Sequence, residues 1–171
     1  VNAHDDRSVA CAARLMELGV EVRIIDKDAL LSEQPLPRGS VVVIGMDNPD
    51  YQDLSSVISS VASGLDLSVV SISSGFGAEE LPDWGGRHFR LLERPQIALM
   101  AHQDFSSYDV GVSWWSLDHH LGIRHSMVNG SSLNYGDLRR YNTIIMPSGY
   151  QNLSNSELNS LEEWIRQGGT L

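Results

Sequence analysis

The sequence predicts an α/β protein of mostly parallel sheets with helices on both faces. Two observations carry this: strand-like and helix-like patterns alternate along the chain, and the alternation restarts after Pro95. A third is that strand candidates such as Val41-Val42-Val43-Ile44 are short continuous apolar runs, the pattern of a strand covered on both faces. At 171 residues the chain can bury a core without disulfides or a structural metal.

Residues 5–18 read as the first helix. Asp5 or Asp6 can cap it, Val9, Ala13 and Met16 share one face, and Gly19 can end it in the left-handed conformation. Residues 20–25 alternate like a strand. Residues 30–39, broken by Pro35, Pro37 and Gly39, read as a loop. Residues 40–44 form the next strand, expected at the centre of its sheet. A serine-rich helix over 50–62 places Leu54, Val57, Ile58 and Val61 on one stripe, and 67–72 read as a third strand. These elements make a first lobe, 1–74. The Gly-rich, charged stretch 75–94 is expected to link it to a second lobe, 95–171.

The second lobe opens with a strand at 96–101, expected at the centre of its own sheet. A helix over 109–121 carries Trp114, Trp115, Leu117 and Leu121 and stops at Gly122. A short strand follows at 124–128, then a turn or short helix over 133–141, then a strand at 142–146 that runs into Pro147-Ser148-Gly149. The last helix has the strongest local signals. Ser154 and Glu157 form a capping box, Leu153 and Leu158 a hydrophobic staple, and Leu158, Leu161, Trp164 and Ile165 an apolar stripe. Gly168-Gly169 ends it. Because the chain opens on a helix and Thr170-Leu171 reads as the first step of another strand, the sequence is expected to be a fragment of a longer protein.

Composition narrows the function. The formal net charge is −10, with only 12 Lys and Arg, so the basic patch that nucleic acid or an anionic membrane requires is missing. No apolar run approaches the roughly 18 residues of a membrane span. A single cysteine, Cys11, excludes an internal disulfide and a multi-cysteine metal site. It sits mid-helix among alanines and reads as a small core residue. None of the six histidines belongs to a His-x-x-Glu or His-x-x-x-His pair, and no cofactor is expected in this chain. Asp118, His119 and His120 read as helix surface, since neighbours on a helix diverge by about 100°. Gly75-Phe76-Gly77 lacks the third glycine of a phosphate loop and reads as a turn. Open parallel sheets bind ligands beyond the carboxyl ends of their strands, which gathers His102, Asp104, Ser148, Gly149 and Tyr150 as the candidate ligand-binding residues. No residue is assigned a catalytic role.

The second lobe also resembles a known module. Pro95-Gln96-Ile97-Ala98-Leu99, Trp114, Asp137-Leu138, the run from Tyr141 through Gly149, and Leu161-x-x-Trp164-Ile165-x-x-Gly168-Gly169-Thr170-Leu171 carry the resemblance. It is to the class I glutamine amidotransferase-like domain found C-terminal to the catalytic domain in large bacterial zinc carboxypeptidase-like proteins. The first lobe is similar to the segment that precedes that module, through residues 7–18 and Pro37-Arg38-Gly39-Ser40-Val41-Val42-Val43-Ile44. The resemblance implies flavodoxin-like layers for the second lobe and an upstream peptidase domain as partner. It places zinc in that domain, outside this chain, and the protein in the periplasm or outside the cell. It also implies that the turn at Pro147-Ser148-Gly149 corresponds to an oxyanion-hole turn in active relatives, with Ser148 where a glycine usually stands. Their nucleophilic cysteine would follow the strand begun at Thr170. The leading expectation is a non-catalytic accessory region that supports the peptidase domain or binds a ligand. The alternatives are an amidotransferase-like hydrolase whose nucleophile lies beyond residue 171, and a small-molecule-binding α/β module.

Overall fold

The structure is a computed structural model that describes residues 1–77, 81–102, 105–149 and 153–171. The chain divides into two compact units, Val1–Arg94 and Pro95–Leu171.

The first unit opens with α1 (Arg7–Glu17). The Asp5 carboxylate accepts the Arg7 backbone N–H at 2.9 Å, while Asp6, at the cap position, makes no side-chain cap. Of the predicted face, Ala13 is buried and Met16 packs against the core, whereas Val9 is exposed; Ser8, Ala10, Cys11, Ala12 and Leu15 are the other buried residues of the helix. Small side chains over 10–13 let this face approach its neighbours closely. Gly19 ends the helix at φ +89°, as its position predicts. Next come β1 (Arg23–Ile25), β2 (Ala29–Leu31), β3 (Gln34–Leu36), β4 (Val41–Val42) and α2 (Leu54–Ser63), whose Asp53 cap accepts the Ser56 N–H. The last strand of the unit is β5 (Phe89–Leu91).

Five expectations for this unit are corrected. Its three-stranded sheet, ordered β4-β1-β5, is antiparallel throughout, not parallel. The stretch 75–94 is not a plain linker, because β5 fills the position beside β1. The predicted loop 30–39 contains the β2–β3 hairpin, turned through Ser32 and Glu33 at φ +48° and +64°. Residues 67–72 form no strand; β4 and β5 occupy the two flanks of β1, and Val1 pairs with the outer edge of β4. The Val1 amino group donates to the Val41 carbonyl at 2.9 Å, and the Val41 N–H donates back at 3.0 Å. That arrangement also leaves β4 at the margin of the sheet, not its centre.

Cys11, Leu15, Val20, Val22, Val41 and Ala62 form the main core of this unit. A second cluster joins Ile25, Ala29, Leu31 and Phe89, with Trp84 against it. Gly75 is pressed beneath Trp84: a Cβ there would lie 1.8 Å from the indole nitrogen. The Gly77 N–H donates to Asp83 at 2.5 Å, and Gly77 forms an antiparallel bridge with Leu31, so the Gly75-Phe76-Gly77 segment is held by contacts within the unit.

The second unit has the parallel layout. Its elements are β6 (Ile97–Met100), α3 (Ser107–Trp115), β7 (His125–Val128), α4 (Ser132–Tyr135), β8 (Thr143–Ile145) and α5 (Asn155–Arg166). The sheet order is β7-β6-β8, with β6 central and parallel to both neighbours. All four β6 residues are buried. Thr170 pairs in parallel with Thr143, its N–H donating to the Asn142 carbonyl at 3.0 Å. The order in chain sequence is therefore 2-1-3, extended by Thr170 beyond β8. The capping box at Ser154 and Glu157 forms as predicted. Of the predicted α5 stripe, Leu161 and Trp164 are buried, whereas Leu158 and Ile165 are exposed. Helix α3 passes into a wider π-helical turn, Ser116–Leu121, which Gly122 ends at φ +68°. Leu117, in that turn, is buried, while Trp114 and Trp115 at the end of α3 are not.

Candidate functional site

In an open parallel sheet ordered 2-1-3, the crevice lies beyond the carboxyl ends of the first and third strands, here β6 and β8. Chain from both strand ends meets there. The Ser106 N–H donates to the Ser148 carbonyl at 2.8 Å, and Phe105 forms an antiparallel bridge with Gly149. The Ser148 hydroxyl donates to the Asp109 carboxylate in the first turn of α3. Ser106 caps that helix, accepting the Asp109 N–H at 3.4 Å. The segments that follow the two strands are thus joined to each other at the place where strand order predicts a ligand.

Of the predicted site residues, Ser148 and Gly149 sit together in this junction. Asp104 and Tyr150 lie outside the described residues. His102 stands one residue past Ala101, whose N–H donates to the Val128 carbonyl at 2.8 Å. Its φ is +147°, a region that side chains rarely adopt. Its carbonyl accepts the Phe105 N–H at 3.0 Å. Among the described residues, no hydrogen bond joins His102 to Ser148 or Gly149.

His102 instead borders a second hollow on the β7 side of β6. This open cleft, about 590 Å³, lies between α3 and the ends of β6 and β7. Phe105, Val110, Trp114, Met127 and Val128 form its apolar walls, with Gly111 among them. His102, Ser107 and Asn129 supply its polar groups. The Asn129 side-chain oxygen accepts from Ser131 at 2.5 Å and from the Ser132 N–H at 3.2 Å, which fixes the carboxamide. Trp114 meets the His119 ring edge-on at 5.8 Å, and Trp115 stacks on the same ring at 6.0 Å. His119 is thereby engaged with the tryptophans. The sequence pattern alone does not single out Gly111, Asn129 or Asp109; a glycine inside a helical pattern is the one signal pointing here.

The potential nucleophiles are poorly equipped. Cys11 is fully buried in the first unit, and burial pushes its thiol above the ordinary range, partly offset by the nearby Val1 amino group. The Ser148 hydroxyl faces a carboxylate, which is a weak base for a serine. Among the described residues, no group of three or more His, Cys, Asp or Glu is placed to hold a metal ion, and no helix is long and apolar enough to cross a membrane. No family model, curated protein or solved structure matches the chain.

Proposed function

We propose that this chain is a non-catalytic accessory region of a zinc carboxypeptidase-like protein, and that its second unit is a class I glutamine amidotransferase-like module that holds a ligand without hydrolysing it. The observation that carries the reading is the parallel order β7-β6-β8 with Thr170 alongside β8, which is how flavodoxin-like layers begin. The resemblance of residues 95–171 to that module agrees with it. The non-catalytic part draws on the buried Cys11 thiol and on a Ser148 hydroxyl paired with Asp109 in place of a histidine. In this reading the catalytic zinc belongs to the peptidase domain and the chain contributes no ligand to it.

Two measurements on the purified chain test the proposal: its zinc content, and its turnover of glutamine and of C-terminal peptide substrates. Substoichiometric zinc and no turnover are expected. Stoichiometric zinc, or turnover that disappears in His102→Ala or Ser148→Ala, would overturn it.

A further inference from the structure

Helix α3 contains a feature that packing within the chain does not account for. Gly111 lies mid-helix, where glycine costs about 1 kcal/mol relative to alanine. At Gly75 and Gly169 a Cβ would strike an indole ring; at Gly111 it would meet no atom within 4 Å. The space it leaves free belongs to the cleft beside His102. A second feature points to the same place. His102 holds a backbone conformation rare for a side chain, at the mouth of the cleft, and its ring has no hydrogen-bond partner among the described residues. Asn129 is held through its side-chain oxygen, which leaves its N–H₂ free to donate. Ser107 is exposed, and its hydroxyl has no hydrogen-bond partner among the described residues.

The lining restricts what can fit. Phe105, Trp114 and Met127 offer flat, polarisable surface, and the described lining carries no ionisable group other than the His102 imidazole. A charged ligand would lose hydration there, and among the described lining residues only the His102 imidazole could offer it a counter-charge. The volume is in the range of small-molecule sites. We infer that this cleft binds a neutral, planar aromatic molecule, laid against Trp114 and over Gly111, with a hydrogen-bond acceptor at its edge toward Asn129 and Ser107. This deepens the ligand-binding reading proposed for the second unit and rests on it.

Three probes of matched size separate the requirements: benzamide, benzoate and cyclohexanecarboxamide. Binding is read from the tryptophan indole N–H resonances of the full chain. Benzamide should shift the Trp114 signal saturably, with the millimolar affinity typical of so small a ligand. Benzoate, of the same shape but charged, and cyclohexanecarboxamide, with the same head but not flat, should each bind about tenfold more weakly or less. Gly111→Leu fills the cleft from the helix side. It should weaken benzamide about tenfold or more while leaving the thermal midpoint unchanged or raised, because leucine is the better helix former. Should that variant fail to fold, Trp114→Leu, followed through the Met127 methyl resonance, should lose benzamide to the same extent. The inference is overturned if benzamide does not saturate, if either control binds as tightly, or if the folded variant binds like the parent. Glutamine turnover would remove the accessory reading and leave a positive benzamide result standing; absent benzamide binding removes this inference alone.

Discussion

Trp164 is the residue on which the core of the second unit most visibly turns. Its ring is buried with Leu161, Ile144 and Met100, and its indole N–H donates to the Tyr141 carbonyl at 3.1 Å. The ring also lies directly over Gly169, where a Cβ would come within 2.4 Å. Trp164→Phe keeps an aromatic ring but deletes the donor and part of the volume. Losing the hydrogen bond costs about 1 kcal/mol net, and a buried carbonyl deprived of its donor up to roughly 3 kcal/mol. The space left over Gly169 adds about 1 kcal/mol. The expected loss is therefore about 2–4 kcal/mol. Native-state hydrogen exchange can read it locally: protection of the β6 and β8 amides should fall by roughly 30-fold or more. A loss under about 1 kcal/mol, or unchanged protection in β6 and β8, would show that the indole is not anchoring this core. Gly169→Ala attacks the same contact from the other side and should also destabilise the unit.

Other outcomes follow from the first unit. Ser40 is fully buried, and its hydroxyl has no hydrogen-bond partner among the described residues, so Ser40→Ala should raise stability by about 1 kcal/mol in urea unfolding; a decrease would reveal an unseen partner. Arg23 grips the Asp47 carboxylate with bonds of 2.7 and 3.0 Å and donates to the Phe89 carbonyl at 2.9 Å, tying β1 to the turn after β4 and to β5. Asp47→Asn should cost about 1–2 kcal/mol by equilibrium unfolding. Hydrogen bonding from Arg23 lowers the Asp47 pKa. Its contribution is therefore present above the unfolded carboxyl value of about 3.9 and is lost as pH falls through the lower folded value. An acid-unfolding curve identical for parent and Asp47→Asn would contradict this. The Cys11 thiol should resist a disulfide reagent in the folded chain at neutral pH and react once urea unfolds it; rapid labelling of the native protein would contradict its burial.

The parts of the fold that the sequence makes legible are those specified locally. The α5 capping box needs only Ser154 and Glu157 three residues apart, and it forms. Strand β6 is a short apolar run after a proline, and it lies at the centre of its sheet. What escapes the sequence depends on competition between distant segments. The β2–β3 hairpin turns through Ser32 and Glu33, both left-handed, where sequence reading looks for Asn-Gly or Asp-Gly. Residues 67–72 are β-branched enough for a strand, but β5 flanks β1 on one side and β4 on the other, and Val1 covers the far edge of β4. Propensity makes a segment eligible for a sheet; the available edges decide which segments enter it.

The same distinction applies to the candidate site. The rule that ligands bind beyond strand ends directs attention to His102 and to Pro147-Ser148-Gly149, because alternation of strands and helices implies a parallel sheet. It does not say whether the two strand-end segments bond each other, and here Ser106 with Ser148 and Phe105 with Gly149 do so. The hollow between α3 and β7 lies beside the same end of β6. Helix α3 borders it with a glycine, a half-exposed tryptophan and no fully buried residue. A helix that covers a sheet normally places an apolar stripe inward. Here Trp114 and Val110 border the cleft while Tyr108, Val112 and Trp115 remain exposed. The low burial of α3 and the open cleft are therefore two aspects of one arrangement: the helix stands over a space that the described side chains do not fill.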